Sequence, residues 1–79
     1  MRVRLFAALR EIAGASELEE EANTVGELID RLCERFGPQF GRIVSAGSVI
    51  VDGERSGRDR RVQPQDEVAL LPPVSGGIE

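Results

Sequence analysis

Between Thr24 and Pro38 the chain carries every mark of a helix with one buried side, and that side dictates the rest of the fold. Thr24-Val25-Gly26-Glu27 has the pattern of a capping box, in which the threonine hydroxyl accepts from an orphan amide and the glutamate reaches back. Val25, Leu28, Ile29, Leu32 and Phe36 recur at helical spacing and form one apolar stripe. Gly37-Pro38 ends the element, since glycine supports a left-handed cap and proline cannot continue the ladder. A single stripe must be covered from a single direction. With 79 residues there is one core to build, and a sheet wrapped around the helix is the economical cover.

The flanking segments supply that sheet. Arg2 to Ala7 alternates strictly and reads as a strand, with Val3, Leu5 and Ala7 on one side and Arg2, Arg4 and Phe6 on the other. Ala8 to Ala13 reads as a short helical turn stopped at Gly14. Ser16 to Ala22 is a weaker strand, where Leu18 stands alone among Glu17, Glu19, Glu20 and Glu21; those charges suit an edge because they discourage further pairing. Phe40, Ile43 and Val44 are expected to cover one end of the core. Ser48 to Val51 runs into Asp52-Gly53, the strongest short hairpin signal in the chain. Its return arm is not fixed by the residues: Gly57 to Arg61 is too polar for a core strand, and Val62 is the residue that can dock. Gln63 to Asp66 reads as a turn, and Glu67 to Leu71 as a last strand closed by Pro72-Pro73. If the first and last strands are neighbours they run parallel, joined by a crossover through the helix. The result is an α+β fold of the β-grasp type over residues 1–73, a mixed sheet around one main helix. Residues 74–79 form a tail with too little apolar content to be held down.

Composition removes many functions. Histidine is absent and Cys33 is the only cysteine, which excludes Cys/His zinc sites, internal disulfides and imidazole-based catalytic sets. All ten basic residues are arginine, so the chain can neither form a Schiff base nor accept an isopeptide bond on a lysine. A net charge of −4 argues against non-specific nucleic-acid binding. The opening residues lack a signal-peptide pattern and no apolar run approaches membrane-spanning length, so a cytoplasmic home is the default expectation.

The last strand and its extension carry a resemblance. Asp66 to Gly77, reading through Leu70-Leu71-Pro72-Pro73-Val74-Ser75-Gly76-Gly77, resembles the C-terminal signature of the MoaD/ThiS family of ubiquitin-like sulfur carriers. Within it the likeness is to the small, sulfur-carrying subunit of molybdopterin synthase, and Val3 to Gly14 looks like that subunit more than like the thiazole-pathway carrier. The resemblance implies a definite chemistry. A partner enzyme uses ATP to adenylate the carboxylate of Gly77, sulfur replaces AMP to give a thiocarboxylate, and the tail enters the large catalytic subunit of the synthase. The carrier itself would bind no cofactor and supply no catalytic side chain. Other clients for the same chemistry are thiazole synthesis, cysteine synthesis and tRNA thiolation. A ubiquitin-like binding or modifying module without sulfur chemistry is the rival of a different class.

Physical chemistry agrees with such a tail. A carboxylate that must reach through a narrow channel benefits from neighbours without side chains, and Gly76 and Gly77 follow whatever path a partner imposes. Pro72 and Pro73 fix φ and bias an extended exit, with Val74 and Ser75 between. One feature departs from the pattern. Carriers ready for use end at the second glycine, whereas here Ile78 and Glu79 follow. Removal by a processing protease before use is the reading adopted; a remnant of a larger chain, or loss of carrier activity with binding retained, are the others.

Remaining features divide between surface and interface. Phe6 and Leu71 point away from the core and become neighbours if their strands pair; with Pro72 they would form an apolar patch leading to the tail, a partner interface instead of scattered surface residues. Pro73 continues that surface, and Arg10 lies close enough to pair with a partner carboxylate. Arg55, Arg58, Arg60 and Arg61 read as a solvated loop ahead of the alternative, a docking site for an acidic partner surface. Cys33 flanks the helical stripe and reads as a small hydrophobe.

Overall fold

The structure is a computed structural model and describes residues 1–73. Strand β1 (Arg2–Leu5) alternates as expected, Val3 and Leu5 facing the core and Arg2 and Arg4 facing solvent. The chain then turns sooner than alternation suggests. Phe6 caps helix α1 (Ala7–Ala13), and Ala7, with φ of 50°, is exposed instead of following Val3 and Leu5 inward. The helix takes precedence because it buries Leu9 completely, and Gly14 closes it in the left-handed region, its N–H donating to the Arg10 carbonyl at 2.9 Å. Strand β2 is shorter than expected, Glu17–Glu19 against Ser16 to Ala22, and pairs antiparallel with β1 at the sheet edge. With Leu18 as its one large apolar residue it has little to bury.

Helix α2 (Val25–Phe36) begins and ends where the residues place it. Thr24 Oγ1 accepts from the Glu27 N–H at 3.1 Å, while the Glu27 carboxylate accepts from the Asn23 N–H at 2.7 Å, one residue before the cap. Val25, Leu28, Ile29 and Leu32 are buried and Phe36 is half-buried at the end of the stripe. Gly37 does not adopt the left-handed cap; its φ of 101° and ψ of 167° belong to a region almost reserved for glycine, and it redirects the chain into a further helix.

That helix, α3 (Pro38–Ala46), was expected only as apolar cover. Glycine and two β-branched residues give it poor intrinsic propensity, so packing decides. Phe40 is fully buried with its ring 5.3 Å from that of Phe36. A Cβ on Gly41 would overlap Cys33 Sγ, so the glycine lets the two helices approach. Each large side chain buried in this way contributes about 1.5–3 kcal/mol.

Strands β3 (Ser48–Val51) and β4 (Glu54–Ser56) form the expected hairpin, with Asp52 and Gly53 both at positive φ, 49° and 85°. The polar segment after β4 is pinned to the start of α2: the Val25 and Gly26 N–H groups donate to the Arg60 and Arg58 carbonyls, Thr24 bridges Arg61, and Val62 is buried. Strand β5 (Glu67–Leu71) lies between β1 and β3, parallel to the first and antiparallel to the second. The sheet order β2-β1-β5-β3-β4, with the helices packed on its apolar face, is the β-grasp arrangement.

Candidate functional site

The face of the sheet turned away from the helices is graded from charged to apolar along β1 and β5. At the start of these strands Arg2 stands between Glu19 and Glu67. One step further the register sets Glu17, Arg4, Ala69, Ile50 and Arg55 side by side across all five strands. Arg2 Nε lies 3.5 Å from Glu17 Oε2 and Arg4 Nη1 lies 3.6 Å from Glu67 Oε2. These exposed pairs contribute little to stability, but they neutralise this end of the face. At the other end stand Leu71 and Phe6. The Arg4 guanidinium sits 5.8 Å from the Phe6 ring centroid, which places Phe6 on the outer side, and Phe6 and Leu71 each follow directly on the last paired residues of the two strands, Leu5 and Leu70. Phe6, Leu71, Ala69, Ile50 and Pro72 are all half-buried and Pro73 is exposed. An apolar strip therefore runs to the point where β5 ends.

The root of the tail is held by a contact that alternation and motif could not reveal. Gly47, between α3 and β3, lies so close beneath β5 that a Cβ there would overlap the Leu71 carbonyl oxygen and come within 2.8 Å of the Pro72 carbonyl carbon. Its own N–H donates to the Ile43 and Val44 carbonyls, closing α3. Nothing in the residues around Gly47 signals this contact, because Leu71 and Pro72 are distant in the chain.

Arg10 is exposed in the last turn of α1, the helix that Phe6 caps, and forms no ion pair among the described residues. Phe6 and Leu71 thus stand at the ends of adjacent strands, with Pro72 and Pro73 following Leu71 and Arg10 exposed on the helix after Phe6. Val74, Ser75, Gly76 and Gly77 lie outside the described residues. Of the four clustered arginines, Arg58 binds Asp30 at 3.1 Å and the Gly26 carbonyl at 3.4 Å, and Arg60 binds Glu54 at 2.9 Å, as in a solvated structural loop, whereas Arg55 stands on β4 opposite Ile50. Cys33 is half-buried on α2 with its Sγ against Gly41 of α3, packed as a small hydrophobe.

A shallow cleft of about 400 Å³ lies at the opposite end of the sheet, lined by Met1, Asn23, Glu27, Arg31, Val62 and Pro64. Its polar groups serve the helix cap. Donation from the Asn23 N–H, then the nearby Arg31, holds the Glu27 carboxyl below the ordinary glutamate value. At its neighbour Glu20 the Glu21 backbone N–H has the same effect, with Arg35 second to it. Both shifts belong to fold stability and lie away from the apolar strip. Among the described residues no group of three or more Cys, Asp and Glu is placed to hold a metal ion, and no helix is long and apolar enough to cross a membrane.

A model of the ThiS family matches residues 3–77. The chain belongs to the ThiS family. This ThiS-family chain is 31% identical over 80 residues to the molybdopterin synthase sulfur carrier subunit of Arabidopsis thaliana, covering 98% of itself and 82% of that protein. It is 32% identical over 87 residues to small archaeal modifier protein 1 of Haloferax volcanii, covering 98% of itself and all of that protein. Among solved structures it is similar to a chain of the Amycolatopsis orientalis BexX/CysO complex, with a TM-score of 0.78, 28% identity, and coverage of 96% of this chain and 98% of that one. In family and in fold it stands with the ubiquitin-like β-grasp sulfur carriers.

Proposed function

We propose that this ThiS-family chain is the sulfur carrier of a molybdopterin synthase and works through the carboxyl group of Gly77. A partner enzyme, using ATP, converts that carboxylate to an acyl-adenylate, and a sulfur nucleophile displaces AMP to leave a thiocarboxylate. The large synthase subunit then accepts the tail and takes the sulfur. The chain contributes the acyl group and the docking surface, and its partners contribute the catalysis. It holds no cofactor of its own in this scheme and acts in the cytoplasm. Residues that follow Gly77, Ile78 and Glu79 among them, are removed first by a protease, because a free carboxylate on Gly77 is the reactant.

The observation that carries this reading is that the family match runs through β5 and Pro72-Pro73 to Gly77, with an apolar strip at the root of that segment. The likeness to the Arabidopsis carrier subunit over 98% of this chain supports the molybdopterin pathway. A second reading, attachment of Gly77 to lysines of other proteins, is supported by the equally similar archaeal modifier. The likeness to the BexX/CysO complex keeps other sulfur-accepting clients in view.

Intact-mass spectrometry tests the chemistry. Incubated with the adenylating enzyme, ATP and a sulfur donor, a chain ending at Gly77 should exchange one oxygen for sulfur while the 79-residue chain does not. Equal reactivity would remove the processing step, and no exchange in either would remove the carrier role. Recovery of the large synthase subunit on the trimmed chain, against recovery of lysine-linked conjugates, separates the two readings.

A further inference from the structure

Among the described residues six charged side chains lie on the outer sheet face, and five of them have a partner of opposite sign. Arg2 meets Glu17, Arg4 meets Glu67, and Glu19 lies 3.7 Å from the terminal amine. Arg55 is the sixth. It is exposed on β4, directly across from Ile50, and forms no ion pair among the described residues. The register therefore puts an uncompensated guanidinium at the far end of the row Arg4, Ala69, Ile50, bordering the apolar strip. Side chains directly opposite on paired strands stand about 5 Å apart at Cβ. A surface that covers Ile50 and reaches over β4 takes water away from Arg55, and a desolvated cation without a counter-charge opposes binding.

We infer that Arg55 is a specificity determinant for the protein that docks on this face: the cognate surface is apolar opposite Phe6, Leu71, Ala69 and Ile50 and presents a carboxylate to the Arg55 guanidinium. The planar guanidinium fork suits two parallel N–H···O bonds to such a carboxylate. In a chain whose net charge is −4, an uncompensated cation beside an apolar strip also gives an acidic partner a favourable approach on this side. Partners with a neutral or basic residue at that point are rejected. The inference rests on the carrier reading above, in which the sheet face is the docking surface.

Titration of the adenylating partner with the full chain tests it. Arg55→Glu should weaken binding roughly tenfold or more and Arg55→Gln less, and the Gln variant should lose part of the affinity drop between ~50 and ~300 mM salt. Arg42→Glu makes the same charge change on α3, in the helical layer, and should leave affinity within about twofold. Phe6→Ala reports the docking surface independently. If Phe6→Ala weakens binding while Arg55→Glu behaves like Arg42→Glu, the Arg55 inference fails and the docking surface stands. If neither Phe6→Ala nor Arg55→Glu changes affinity, the docking surface fails and takes the inference with it. Tighter binding by Arg55→Glu would make the partner basic and overturn the inference. So would sedimentation showing that this face pairs two copies of the chain. Thermal melting should be unchanged in Arg55→Gln, because the side chain is exposed.

Discussion

At the scale of single residues, Gly47 and Phe6 make opposite kinds of claim. Gly47 is needed for what it lacks, since the Leu71-Pro72 backbone occupies the space of its missing Cβ. Gly47→Ala should destabilise the domain by about 1–3 kcal/mol, as overpacking against backbone does, which corresponds to a fall in melting temperature of at least ~4 °C in a domain this small. A wild-type melt would show that β5 can lift without penalty. Gly53→Ala is the contrast: nothing lies near its missing Cβ, so only its left-handed φ of 85° resists, at about 1 kcal/mol. Phe6 was legible from strict alternation with Arg4, and the structure keeps it outward. Ala7 was not, because the same alternation continues past the point where burial of Leu9 turns the chain into α1. Gly47 was invisible, since its close neighbours lie more than twenty residues away in the chain.

At the scale of elements, α2 shows why some segments can be read and others cannot. Its cap, stripe and stop are all local, and the structure reproduces each except the conformation of Gly37. Thr24→Ala should cost about 1 kcal/mol, read from urea unfolding. The cap also carries a pH signature. The folded carboxyl of Glu27 is held below the ordinary value of 4.5, first by the Asn23 N–H and then by Arg31. A lowered folded value contributes stability above the ordinary value, and that contribution is lost as pH falls through the folded one. Stability should therefore decline below pH 4.5, and Glu27→Gln should flatten part of that decline in an acid titration followed by circular dichroism. An unaltered acid limb in the variant would remove Glu27 from the account. Helix α3 lacked such local marks. Its glycine and β-branched residues are poor helix formers, and only Phe40 against Phe36 and Gly41 against Cys33 make it one. Strand β4 likewise depends on its partner, since Glu54-Arg55-Ser56 has no apolar residue to announce it.

At the scale of the whole molecule, the two faces of the sheet have different tasks. One buries the apolar core against the helices, and the other carries the half-buried strip from Ile50 to Phe6 and Leu71. Phe6→Ala should thus weaken partner association more than it weakens folding, as seen by titration beside a melting curve. A large loss of melting temperature with unchanged association would reassign Phe6 to the core. The fold was legible because one amphipathic helix demands one sheet, and the parallel pairing of first and last strands followed from it. The outer face was legible only in part. Phe6 and Leu71 announced themselves, whereas Ile50 and Arg55 joined them through a hairpin register that the polar return arm concealed.

The position of β5 has a mechanical consequence. Any partner that draws the segment beyond Pro73 into itself pulls along the axis of β5, which is laddered to β1 on one flank and β3 on the other. Tension applied lengthwise loads both ladders in shear, so their bonds must rupture as a set and cannot peel one at a time. The body of the domain can act as a firm handle while its end is gripped elsewhere.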